Sequence, residues 1–112
     1  MGRILVHSAT GPENATRAAL ALLVARTAVE EGHEVQVFIA GDGVHLADEE
    51  KAAATNGLGT GSVAEHLTAL HGAGLTVFLS GMSSKARGIE GGEGFELAPP
   101  QKLVVTKSCA LP

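Results

Sequence analysis

Leu75-Thr76-Val77-Phe78-Leu79 runs directly into Ser80-Gly81-Met82-Ser83-Ser84-Lys85-Ala86-Arg87-Gly88. The first segment is a short, nearly continuous apolar run, the pattern of a strand buried on both faces in a parallel sheet. The second changes character at once to small, hydroxylated and flexible residues, and ends in a cation and a glycine. This composition predicts a loop, with room for a short helix inside it. A buried strand that empties into a polar loop is half of a βα unit. The same transition occurs twice upstream, from Arg3-Ile4-Leu5-Val6-His7 into Ser8-Ala9-Thr10-Gly11-Pro12-Glu13, and from Val35-Gln36-Val37-Phe38-Ile39 into Ala40-Gly41-Asp42-Gly43.

The segments between these strands read as helices. Thr10 and Glu13 have capping-box spacing, and Pro12 falls in a first turn where its missing N–H costs nothing. Ala15, Ala18, Ala19, Leu22, Leu23, Arg26 and Val29 carry the helical period to about Glu31, and Gly32 closes it as a left-handed C-terminal glycine. Val44 to Ala53 reads as a short helix and Thr55 to Gly61 as a flexible glycine-rich loop. Ser62 and Glu65 repeat the capping-box spacing ahead of a helix that Leu67 and Leu70 anchor and that ends near Gly72 or Gly74. Glu90 to Gly94 is turn-like. Strands alternating with helices at these intervals predict βαβ crossovers and a mainly parallel sheet of three or four strands. Lys102 to Thr106 reads as a helix begun by Pro99-Pro100, with a fourth strand as the alternative. So small a sheet leaves an exposed edge, and an exposed edge invites partners, which predicts a homo-oligomer.

Size and composition bound the rest. At 112 residues the chain is expected to form one domain, residues 1–112. It is 45% hydrophobic and 18% charged, too apolar for disorder. With three Phe, no Trp and no Tyr, the core must be built from Ala, Val, Leu and Ile. The same shortage leaves no stacking platform for single-stranded nucleic acid. Eight Lys and Arg against twelve Asp and Glu give a net charge of −4 without any basic run, which argues against phosphate-backbone binding and hence against nucleic acid. The longest apolar stretch, Ala18 to Ala25, lies between Arg17 and Arg26 and cannot span a bilayer, so no membrane role is expected. One cysteine, Cys109, allows no intrachain disulfide, and no signal-peptide layout precedes the first strand. Both fit a cytoplasmic protein.

In an open parallel sheet, ligands bind outside the C-terminal ends of the strands. The loops after His7, Ala40 and Leu79 all begin there. The first is not a phosphate loop, since Gly11 stands alone, and Glu13 competes for the N–H groups that would hold an anion. Asp42, between two glycines, suits orientation of a partner side chain or a bond to its own backbone. The five His residues have no metal-ligand spacing, so no metal site is expected, and no cofactor-binding pattern is present. No Ser sits in a nucleophile elbow. Cys109 suits either a reactive thiol or a small buried hydrophobe.

Taken in order, three blocks resemble the DsrE/DsrF-like family. They are the first strand with Ser8 to Ala19, Glu31 to Val44, and Gly74 to Gly81 closing with Lys85-Ala86-Arg87-Gly88-Ile89. The resemblance implies a three-layer, flavodoxin-like α/β domain with helices on both faces of the sheet, assembled as trimers or hexamers. It also implies a sulfur-relay role in some members, in which a cysteine at the end of the strand before the Gly-x-Ser…Arg-Gly segment carries a persulfide. Here that position is Ser80, whose hydroxyl cannot hold a sulfane sulfur. What the resemblance leaves is a non-covalent site of Ser80, Met82, Ser83 and Arg87, with Asp42 and Ser8 or Thr10 from the neighbouring loops. Arg87 suits either an anion or an acidic residue across a subunit contact. Three functions follow. The first is an oligomer that binds a small molecule or a partner protein at the Ser80–Gly88 loop. The second is persulfide transfer through Cys109 or a cysteine of another chain, and the third is a purely structural homo-oligomer.

Overall fold

The computed structural model describes residues 2–92 and 94–98. Four parallel strands form the main sheet: β1 (Arg3–Ser8), β2 (Glu34–Ile39), β5 (Val77–Ser80) and β6 (Phe95–Ala98), in the spatial order β1-β2-β5-β6. Parallel neighbours need crossovers, and the chain supplies them as α1 (Ala15–Glu30), then α2 (Glu49–Ala54) with α3 (Val63–Gly72), then α4 (Gly81–Arg87). Between α2 and α3 a second, two-stranded antiparallel sheet pairs β3 (Asn56–Gly57) with β4 (Gly61–Ser62). The α/β class and the parallel sheet agree with the reading of the sequence.

Register places alternate residues on opposite faces of the sheet. Val6, Val35, Val37, Ile39, Val77 and Leu79 point to the face covered by α1 and α3 and join one buried cluster with them. Ala18, Ala19 and Ala25 on the inner side of α1 are almost fully buried. Their small side chains let the helix axis approach the strands, while Leu22, Leu67 and Leu70 fill the space between α1, α3 and the sheet. Leu5 and Phe38 point the other way and form a smaller cluster with Ala40 and Phe78. His7 lies against Phe38 there, with ring centroids 5.6 Å apart.

Several local expectations change. Thr10 and Glu13 do not form the capping box. Pro12–Asn14 makes a separate 3-10 turn, so the cap of α1 moves to Asn14, whose Oδ1 accepts the Arg17 N–H at 3.1 Å. The Glu13 carboxylate instead turns back to accept the Gly11 N–H at 3.0 Å. The expected helix from Val44 to Ala53 divides into a 3-10 segment, Gly41–Ala47, and α2, because Asp48 caps a new start by accepting the N–H groups of Glu50 and Lys51. Within the Thr55–Gly61 stretch, expected as a flexible loop, β3 pairs with the start of β4. The stretch is a tight hairpin bonded to α1 through Leu58 N–H to Thr16 Oγ1 (3.0 Å) and Thr60 Oγ1–H to the Thr16 carbonyl (3.2 Å). The buried His66 ring lies 2.7 Å from the Thr60 carbonyl on the other side. Ser62 does cap α3, accepting the Glu65 N–H at 3.4 Å. The fourth strand of the sheet is Phe95–Ala98, whereas the alternatives weighed for Lys102 to Thr106 lie outside the described residues.

The backbone at Gly11 passes so close to Asp42 that a Cβ there would overlap the Asp42 carbonyl, whereas a Cβ at Gly81 would meet nothing. Gly11→Ala is expected to destabilise the fold by about 1–3 kcal/mol, the range for forced overpacking. Gly81→Ala should leave stability nearly unchanged, and urea denaturation of the two variants against the parent measures the difference.

Candidate functional site

The loops after β1, β2 and β5 meet at one turn, Gly41-Asp42-Gly43. From the β1 side, Ser8 Oγ accepts the Thr10 N–H at 3.4 Å, and the Ala40 N–H donates to the Ser8 carbonyl at 2.9 Å. The chain then lays Gly11 on the Asp42 carbonyl and the Thr10 carbonyl beside Gly43, positions where a side chain would not fit. From the β5 side, α4 begins at Gly81 because Ser80 caps it, its Oγ accepting the Ser83 N–H at 3.3 Å. One turn further on, Ser83 Oγ accepts the Gly41 N–H at 2.9 Å. At the end of α4 the Arg87 Nε donates to Asp42 Oδ1 at 3.1 Å, and its Nη1 donates to the Ser83 carbonyl at 3.1 Å. Gly88 then leaves the helix in the left-handed conformation, φ +70°.

Of the residues that the sequence nominates, Asp42, Ser80, Ser83 and Arg87 are brought together. Ser8 and Thr10 stand one loop away and reach them through backbone contacts with the turn. Met82 is not part of this network, because it projects from the first turn of α4 with 84% of its surface exposed. Within the chain Arg87 is already engaged. It pairs with an acidic residue of its own chain, and the pair is half open to water, with side chains 30% and 57% exposed. Asp42 spends its carboxylate on that arginine rather than on its own turn.

Sequence reasoning missed what holds the corner together. The contacts of Gly11 and Gly43 are steric and leave no motif beyond the glycines themselves. The Gly41–Ser83 bond joins residues 42 positions apart. Ser84 was also unremarked, although it is fully buried and its hydroxyl has no partner among the described residues.

Two grooves open elsewhere. A groove of about 760 Å³ lies between α2, α3 and the approach to β6, lined by Leu46, Ala52, Leu67, His71, Leu75 and Phe95. A smaller one of about 360 Å³ runs along the start of β2 and β5, by Glu34, Gln36 and Thr76. Neither is lined by Ser8, Thr10, Asp42, Ser80, Met82, Ser83 or Arg87. Among the described residues, no group of three or more His, Cys, Asp or Glu is placed to hold a metal ion. No helix is long and apolar enough to cross a membrane.

The fold and this convergence of loops define a small parallel α/β protein with its polar corner at the C-terminal ends of the strands. The DsrE/DsrF-like family model matches residues 2–108, and the chain belongs to that family. Among solved structures it is similar to the YchN protein from E. coli, with a TM-score of 0.76 and 20% identity over 99% of this chain and 97% of that one. That likeness extends to the fold. No curated protein matches the chain.

The bonds at the corner are unequal. Ser83→Ala strands the Gly41 N–H and is expected to cost about 1–3 kcal/mol, the desolvation penalty of an unsatisfied donor. Arg87→Ala breaks a solvent-screened pair and should cost no more than about 1 kcal/mol. Chemical denaturation of both variants tests the order: a larger loss from Arg87→Ala would show that the ion pair, not the Gly41–Ser83 bond, fastens α4.

Proposed function

We propose that this chain is an oligomeric, cytoplasmic binding member of a sulfur-relay-type system, which docks a partner protein at the Ser80–Gly88 corner and carries no sulfur on residue 80. The observation that carries the reading is Ser80 itself. It stands where relay members of the family keep a persulfide cysteine, it is buried, and its hydroxyl is engaged as the cap of α4. A hydroxyl does not ionise in the range where a thiol becomes a nucleophile, so it can neither accept nor release a sulfane sulfur.

A docking surface fits this corner better than a small-molecule pocket. Ser80, Ser83, Asp42 and Arg87 bond to one another and to the backbone of the corner, and the two grooves described above lie away from it. What it offers outward is Met82, an adaptable apolar side chain, ringed by the exposed Lys85, Ala86 and Arg87. Asp42 and Arg87 give such a surface one charge of each sign at its rim, which favours register over raw affinity.

Sulfur loading tests the reading. After incubation with a polysulfide donor, intact-mass measurement should show no added sulfur on the parent chain, while Ser80→Cys, which places a thiol at the start of α4, should gain one. Sulfur on the parent that is lost in Cys109→Ala would overturn the reading in favour of transfer through Cys109, which lies outside the described residues. For docking, proteins retained by the immobilised parent should be lost with Met82→Asp. Equal retention by both would remove the corner as the docking surface.

A further inference from the structure

We propose that the outer face of α1, with the tip of the β3–β4 hairpin, is a two-fold self-association surface that receives the same face of a second copy of this chain. The α1 sequence, Ala-Thr-Arg-Ala-Ala-Leu-Ala-Leu-Leu-Val-Ala-Arg-Thr-Ala-Val-Glu, is apolar almost all the way round. Its inner side is accounted for by the sheet and α3, but Leu20 and Val24 on the outer side are 46% and 49% exposed. A helix apolar on both sides is the pattern of one covered on both sides.

The exposed residues form an ordered stripe. Arg17, Leu20, Val24, Thr27 and Glu31 follow one another at spacings of three and four and are all exposed, so they share one face of the helix and its C-terminal end. The stripe is cationic at its start, apolar in the middle and anionic at its end. Such a pattern complements itself when two copies run antiparallel. Val24 then faces Val24 of the second copy across the axis, and Arg17 of each faces Glu31 of the other. Neither charge has an ion-pair partner among the described residues, where the ion pair on α1 joins Arg26 to Glu30. A two-fold axis requires a residue that meets itself and pairs that exchange, and this stripe provides both.

The hairpin extends the same surface. Leu58 at its tip is 89% exposed, the most exposed large hydrophobic residue among those described. The Thr16 bonds and His66 hold the hairpin against the first turn of α1, which fastens Leu58 at Thr16, four residues before Leu20 on the helix. An α1 of 16 residues is about 24 Å long. Two such stripes and two hairpin tips would bury on the order of 1,000 Å² in all, the lower end for a specific interface. The contact is therefore expected to be reversible with concentration.

This deepens the oligomeric part of the function proposed above and rests on it, but it does not depend on the Ser80 corner. Sedimentation equilibrium of the full chain over a range of concentrations tests it. The parent should associate to an even number of copies. Val24→Glu should halve the limiting mass, with the circular-dichroism spectrum unchanged because Val24 faces outward. Leu58→Asp, on a different element, should weaken the same association even if Val24→Glu fails to fold. Arg17→Glu and Glu31→Arg should each raise the dissociation constant about tenfold or more, and the double variant should return to within about threefold of the parent, as a paired contact requires. A folded parent that stays monomeric would overturn both this surface and the oligomeric part of the proposed function. An oligomer whose mass is indifferent to Val24→Glu and Leu58→Asp, or a charge swap without rescue, would overturn the surface alone.

Discussion

Gly11 and the Asp42 carbonyl approach too closely for any side chain to stand between them, and the rest of the corner is arranged around that contact. It fixes the β1 loop against the β2 loop and leaves the Gly41-Asp42-Gly43 turn with its N–H and carboxylate facing the third loop. Ser83 takes the first and Arg87 the second. A short helix such as α4, of seven residues, has little stability of its own. It is held in place by its cap at Ser80 and by its two bonds to the turn. Three loops far apart in sequence therefore behave as one unit at the rim of the sheet.

That arrangement bears on what residue 80 can be. A capping side chain must accept a hydrogen bond well, and a hydroxyl does so better than a thiol, which is a weak acceptor. Capping and sulfur carriage thus make opposite demands at the same position. The family placement suggests a sulfur-relay-type role, while the residue present favours a fixed α4 over a reactive one. The proposed binding role follows from that choice. Met82 and its neighbours project from a helix that the corner holds still, and a preorganised surface loses less on docking than a mobile one.

Much of this was legible in the sequence because it is periodic or local. The apolar runs at Arg3–His7, Val35–Ile39 and Leu75–Leu79 announced strands, and glycine and proline marked most boundaries between elements. The order of elements places the βα loops at the strand ends, and the family resemblance picks Ser8, Thr10, Asp42, Ser80, Met82, Ser83 and Arg87 from them. What escaped was non-local or sterically defined. Phe95–Ala98 is four residues with a charge in the middle, and it is a strand because β5 offers it a partner edge, not because its pattern demands one. The Asn56–Ser62 hairpin read as flexible because its glycines hid the role of Thr16, forty positions upstream. The Thr10–Glu13 spacing pointed to a cap, but the close approach at Gly11 inserts a 3-10 turn and hands the cap to Asn14. Ser8 and Thr10 stand one loop from the turn and meet it through their backbone.

The account stands on the corner being one rigid unit, and native-state amide hydrogen exchange reads that directly. The Gly41 N–H donates to Ser83 Oγ on α4 and the Ser83 N–H to Ser80 Oγ at the cap of the same helix, so both are predicted to be protected only while α4 stays docked on the turn. They should exchange at a common, slow rate in the parent, and both should become fast in Ser83→Ala while the β2 core amides stay protected. Fast and independent exchange of Gly41 and Ser83 in the parent, at rates typical of open loops, would contradict the account.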